Sequence, residues 1–208
     1  MMNKLWLLTL SGLLLLNGCA SMNKDACLNA DWRTIGFEDG SKGKHEGSIS
    51  QYRKECARHG ITPDLDAYLA GHREGSDRFC TPSNGFRTGQ AGTVYNNSCP
   101  PALEAAFLAA HADGQQLHRL QRYLQQQQAE LNKTERQLSA MESELAIQEE
   151  LLIADGYTRE ERLEIREQII LLQMSINDGY GRLSELQQLV QQADADYQRS
   201  FRRLSARY

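Results

Sequence analysis

Leucine recurs every seven residues, without a miss, at Leu117, Leu124, Leu131, Leu138, Leu145 and Leu152. A second series follows at Ile169, Ile176, Leu183, Val190, Tyr197 and Leu204. A seven-residue apolar period keeps one stripe on one face of a helix and calls for a facing helix to cover it. Between the series lies Asp155-Gly156-Tyr157-Thr158-Arg159-Glu160-Glu161, where Gly156 suits a helix C-terminus and Thr158 with Glu161 has capping-box spacing. A turn that short sends the second helix back antiparallel. Residues 102–155 and 158–204 are therefore predicted to form a hairpin whose arms of about 50 residues reach roughly 75 Å. Pairing Leu145 with Ile169, Leu138 with Ile176, Leu131 with Leu183 and Leu124 with Val190 centres the register on residue 157, inside the turn.

Two features weaken the seam. The positions three after the leucines include Leu120, Gln127, Thr134, Met141 and Gln148, so half of it is polar, where a two-stranded coiled coil wants apolar residues at both core positions. The second helix contains Asp178-Gly179-Tyr180-Gly181, and each glycine costs about 1 kcal/mol relative to alanine. The heptad phase survives across it, which predicts a kink or thin spot rather than a break. The polar seam leaves room for a partner helix or for self-association.

The chain changes character at Pro100-Pro101, which is read as a domain boundary and a helix start. Upstream lie Cys27, Cys56, Cys80 and Cys99, with no C-x-x-C pair and no histidine cluster beside them. That spacing favours two disulfides over a metal site, and three pairings are open. The preferred one, Cys27–Cys56 with Cys80–Cys99, joins each copy of an internal repeat to the segment just before it. In that repeat Gly36, Gly40 and Gly43 match Gly85, Gly89 and Gly92, each with a phenylalanine after the first glycine, and Tyr52 and Tyr95 stand four before Cys56 and Cys99. A partial third unit runs from Tyr68 through Gly71 and Gly75 to Phe79-Cys80. In helices, glycines so spaced fall on one face and let another backbone approach closely; loops are the alternative, because glycine supports a helix interior poorly. They fit neither the dinucleotide fingerprint nor, with Glu38, Asp39, Lys42 and Lys44 around them, the apolar membrane dimer motif.

At the N-terminus, Lys4 precedes an apolar stretch from Leu5 to Leu16, followed by Asn17-Gly18-Cys19. A positive start and a short apolar core make a secretory signal, too short to span a bilayer without strain. The cysteine at the cut resembles the lipobox of bacterial lipoproteins. That resemblance implies removal of residues 1–18 and attachment of lipid to Cys19, with Ala20 after it pointing to the outer membrane.

The upstream residues also carry a second resemblance. Cys27-x-x-x-Asp31-Trp32-x-x-Ile35-Gly36-x-x-Asp39-Gly40-x-x-Gly43, Cys56-x-x-x-Gly60, Asp64-x-x-x-Tyr68-x-x-Gly71-x-x-x-Gly75 and Asn84-Gly85-Phe86-Arg87-x-Gly89-x-x-Gly92-x-x-Tyr95-x-x-x-Cys99-Pro100 resemble the bacterial lipoprotein family catalogued as domain of unknown function 2799. The likeness covers about Cys27 to Gly114. It implies a periplasmic lipoprotein with a disulfide-bonded helical head and brings no activity with it. Ser76, where the pattern has leucine, implies looser packing, and His111 stands where it has tyrosine.

The expected fold is all-α: a signal over 1–18, a lipidated linker over 19–26, a small glycine-rich, disulfide-bonded head over 27–100 and a long antiparallel hairpin over 101–208. A net charge of −4 with interspersed signs offers no basic surface for nucleic acid. No motif for a cofactor, metal or nucleophile occurs. His72 reads as a surface helix residue, and His111 and His118, one heptad apart, are too far apart for a zinc pair. Trp32, Tyr52, Tyr68, Phe79, Phe86 and Tyr95 read as the core of the head rather than as a ligand groove. The expectation is a non-enzymatic, outer-membrane-anchored lipoprotein, facing the periplasm, whose hairpin is a spacer or docking arm for a protein partner or a second copy. The alternatives are a regulator of a cell-wall enzyme whose head contacts peptidoglycan, and an envelope hydrolase.

Overall fold

The computed structural model describes residues 22–208, so Cys19 and the signal lie outside the described residues. The described residues form seven α-helices: α1 (Lys24–Leu28), α2 (Trp32–Ser41), α3 (Ile49–Ala57), α4 (Leu65–Phe79), α5 (Pro82–Gln90), α6 (Pro101–Ile153) and α7 (Arg159–Ser205). Short polar side chains start α2, α4 and α5: Asp31, Asp64 and Thr81 accept from the N–H groups of Thr34, Ala67 and Asn84. The dominant packings are α2 on α4, α5 on α6 and α6 on α7.

The first two of these packings follow one scheme. Gly36 and Gly40 on α2 face the backbone at Tyr68, His72 and Ser76, while Gly71 and Gly75 on α4 face the backbone at Arg33, Phe37 and Ser41. In the second, Gly85 and Gly89 on α5 face Phe107, His111 and Gln115, and Gly114 on α6 faces Phe86, Gln90 and the Gly89 carbonyl carbon. At each position a Cβ would run into main-chain atoms, so the helices meet backbone to backbone. The partial third repeat read from the sequence is thus the partner helix of the first copy, and the start of α6 is the partner of the second. The expected boundary at Pro100-Pro101 is a helix start but not the end of the head, because unit two continues to Gly114 and beyond.

The third glycine of each copy corrects another expectation. Gly43 and Gly92 do not extend the helical face; they follow the ends of α2 and α5 at φ +70° and +76°. There the chain needs the left-handed conformation that glycine adopts freely. Phe79 and His118 occupy the space where their side chains would stand.

Cys27 is bonded to Cys56 and Cys80 to Cys99, one bridge in each unit. Trp32, Tyr68, Ile49 and the Cys27–Cys56 bridge form the core of unit one. Phe107, with Phe79 stacked on it at 5.4 Å, packs with the Cys80–Cys99 bridge where the two units meet.

The hairpin is antiparallel, as the heptads predict, and its turn carries the capping box of Thr158 and Glu161. Arg162 reinforces the turn by donating to the carbonyls of Leu152 and Ala154. Its register differs from the pairing of leucine with the second heptad series. A Cβ on Gly179 would stand 2.6 Å from Leu138 Cδ2, so Leu138 seats against Gly179, three residues beyond Ile176. Leu172, Gly179, Leu186, Ala193 and Ser200, three after each of the first five residues of the second series, are turned inward with it. In an antiparallel pair each core position of one kind meets the other kind, which accounts for the offset. Gly179 is therefore the hole for a knob rather than a thin spot, and α7 runs through it unbroken.

Candidate functional site

The residues that define the head converge on the two seams. His72, expected at the surface, is 4% exposed. Its Nε2–H donates to the Lys44 carbonyl at 2.8 Å, leaving Nδ1 to accept from Ser76 Oγ at 3.3 Å. Ser76 is itself buried, with its backbone N facing Gly40, so serine here goes with close packing rather than the looser fit expected. His111 repeats the arrangement in unit two: its Nε2–H donates to the Thr93 carbonyl at 2.7 Å. One turn pair further on, His118 Nδ1–H donates to the Gln90 carbonyl at 3.1 Å. Each histidine ties the second helix of its unit to the chain leaving the first helix, where Gly43 or Gly92 makes the turn. The sequence held a signal for this pair, an aromatic residue four before the histidine and a glycine three after, in Tyr68–His72–Gly75 and Phe107–His111–Gly114.

Unit one adds a buried carboxylate. Asp39 is 3% exposed and accepts from Lys44 Nζ at 2.7 Å and from the phenols of Tyr52 and Tyr68, both at 3.0 Å. A buried charge is tolerated only when paired and hydrogen-bonded, and Asp39 has three donors. Burial first, and the Asp39 charge second, raise the pKa of Tyr52 and Tyr68 above the ordinary tyrosine value. The hydrogen bond to Asp39 raises the Lys44 pKa against a smaller opposing effect of desolvation. The equivalent of Asp39 in unit two is Thr88, whose hydroxyl donates only to carbonyls of its own helix, Asn84 and Gly85.

Asp64, Asp66 and Asp77, near His72 in sequence, do not join it: all three are exposed, and Asp64 caps α4. Trp32, Tyr68 and Phe86 are buried, and Tyr52, Phe79 and Tyr95 are partly buried against the cores of the two units. Among the described residues no group of three or more His, Cys, Asp or Glu is placed to hold a metal ion. No helix of the described residues is long and apolar enough to cross a membrane. The histidine latches, the Asp39 cluster and the glycine seams have their polar atoms turned on one another, which makes them joints between helices.

The unit pair from the cap of α2 to just past Gly114 is the segment that matches a known family model. Residues 31–116 match the family described as protein of unknown function (DUF2799). The DUF2799 segment begins at Asp31, the N-cap of α2, and ends two residues after Gly114, the last glycine of the second seam. It therefore takes in both units and stops where the hairpin leaves the head. No curated protein and no solved structure matches the chain.

Proposed function

We propose that this chain is a lipid-anchored protein of the bacterial cell envelope, held at the outer membrane through Cys19, and that it acts without catalysis by presenting its hairpin as a spacer or docking arm. What supports the reading is how few residues separate Cys19 from a point fixed on the head. Met22 N–H donates to Glu55 Oε2 at 2.9 Å, which fixes the chain to α3 of unit one three residues after Cys19. Three extended residues span at most about 11 Å. A lipid on Cys19 would thus hold unit one against the bilayer surface instead of leaving it on a long tether. The arm leaves from the other unit: past Leu117, α6 runs a further 36 residues to Ile153, about 54 Å at the rise of an α-helix. An anchor on one unit and a stiff arm on the other, with the units meeting at Phe79, Phe107 and the Cys80–Cys99 bridge, is a geometry for reaching.

Cell fractionation of Cys19→Ser tests the anchor. Acyl chains contribute about 0.8 kcal/mol per buried methylene, so loss of the lipid is expected to release the protein from the membrane fraction. Retention of the variant there, with the same apparent mass as the parent, would overturn the lipoprotein reading.

A further inference from the structure

Four large apolar side chains near the tip of the arm are unaccounted for by the hairpin seam. Leu163, Ile170, Leu171 and Met174 are 48–62% exposed, although they lie within one continuous 47-residue helix. At about 100° per residue, Leu163, Ile170 and Met174 fall within about 40° of one another, with Leu171 bordering them, on the face opposite Ile165 and Ile169. Scattered exposed leucines are ordinary, whereas a contiguous apolar stripe marks an interaction surface.

The stripe is bounded by opposite charges. Arg159 stands four residues before Leu163, and Asp178 stands four residues after Met174. Neither enters an ion pair among the described residues. We infer that the stripe is covered by the same stripe of a second copy, running antiparallel. The midpoint of Leu163 and Met174 and the midpoint of Arg159 and Asp178 coincide, between Gln168 and Ile169. One antiparallel register therefore sets Leu163 on Met174 of the second copy and Arg159 on Asp178 of the second copy, each contact made twice as a twofold requires. A parallel pairing sets Arg159 on Arg159 and Asp178 on Asp178. The axis lies about 10 residues into α7, roughly 15 Å from its start, so two arms overlap near their tips and the heads stay at the far ends. The inference names the partner of the docking arm and rests on that reading.

Two variants of the full chain that each add one cysteine, L163C and M174C, test it in mild detergent, with the unsubstituted chain as the blank. Mixed and oxidised, they are expected to give a disulfide-linked species of twice the mass, and neither is expected to do so alone. A bridge within one chain is excluded, because eleven residues of helix, about 16 Å, exceed the roughly 7 Å reach of a disulfide. Charge reversal supplies the second measurement. Asp178→Arg is expected to weaken dimerisation at least tenfold by sedimentation, and Arg159→Asp added to it is expected to restore it. Monomer in the mixture, or equal cross-linking of each variant alone, overturns the pairing. Either result leaves the anchor at Cys19 standing, since that is read separately by fractionation.

Discussion

Units one and two of the head share a backbone scheme and close it by different means. Both bring two helices together on glycines, latch them with a buried histidine on a carbonyl, and carry one disulfide. Unit one then fills its interior with Asp39, two phenols and a lysine. Unit two has Thr88 at that position and recruits the returning end of α7, at the base of the arm. Leu204 of α7 packs with Phe86, Ala110 and Leu117, Tyr208 stacks on Phe86 at 5.0 Å, and Arg207 and Tyr208 both bond Asp113. A close glycine seam leaves little apolar side chain to bury, so the remaining stability must come from elsewhere. One unit draws it from a buried polar cluster and the other from a third helix.

The largest expected effect tests whether the scheme is common to both. Gly36→Ala and Gly85→Ala each place a Cβ against a carbonyl oxygen of the facing helix, at Tyr68 and Phe107. Backbone cannot give way as a side chain does, and overpacking of this kind is expected to destabilise either unit by about 3 kcal/mol. Gly181→Ala meets nothing within 4 Å and is expected to stabilise α7 by about 1 kcal/mol. Urea unfolding monitored by circular dichroism, with amide exchange to assign the change to a unit, reads all three. Sensitivity at Gly36 without sensitivity at Gly85 would break the equivalence.

The next effect separates the two interiors. Asp39→Asn keeps an acceptor but loses the charge that Lys44, Tyr52 and Tyr68 address, and is expected to cost unit one about 2 kcal/mol, the scale of hydrogen bonds to a charged group. Thr88→Ala removes bonds made only to its own helix and is expected to stay within about 0.5 kcal/mol. Protection of α4 against exchange should fall in the first variant, while that of α6 is unchanged in both.

Much of this architecture was legible in the residues. The heptads give the hairpin and its turn, because a seven-residue period and a capping box are local signals. The inward face of α6, polar positions included, follows from the same period: Thr134 is buried although it is not apolar. The register was not legible, since it depends on how the two stripes interleave, and only the facing helix reveals that Gly179 is a socket for Leu138. The boundary at Pro100-Pro101 misled for a related reason. Composition changes there, but packing continues, and Gly114 lies inside the text of the arm while belonging to the head. His72 reads as polar and hence exposed until the carbonyl left free after the turn at Gly43 supplies its partner.

Alkaline pH should sharpen the contrast between the interiors. Tyr52 and Tyr68 have folded pKa values raised above the unfolded value of about 10. Their contribution is therefore fully present below pH 10 and is lost as pH rises through the folded values. Lys44, also raised, acts in the same direction. At pH 11 one phenol that stays protonated in the fold loses at most about 1.4 kcal/mol relative to the unfolded chain. Thermal melts at pH 9 and pH 11 should show a drop that Tyr68→Phe reduces. Tyr95→Phe should reduce it less, since burial and the Glu104 carboxylate raise Tyr95 but the Cys99 N–H opposes the rise. An equal effect of the two substitutions would mean that the buried carboxylate does not set unit one apart.

The smallest expected effect lies farthest from both units, at the turn of the arm. Thr158 accepts from Glu161 N–H, while the Glu161 carboxylate accepts from Thr158 N–H at 2.7 Å and from its hydroxyl at 2.8 Å. Those hydrogen bonds hold the Glu161 carboxyl below its ordinary pKa, although the group is exposed. Removing such a cap costs about 1 kcal/mol. Thr158→Ala should therefore fray the first turn of α7, near the start of the exposed stripe, and leave the base of the arm unchanged, where Leu204 and Tyr208 are held by unit two. Amide exchange is expected to quicken over residues 159–163 and to stay constant over 197–205. Uniform quickening along α7 would mean that the arm opens as one body and that unit two does not fix its base independently of its tip.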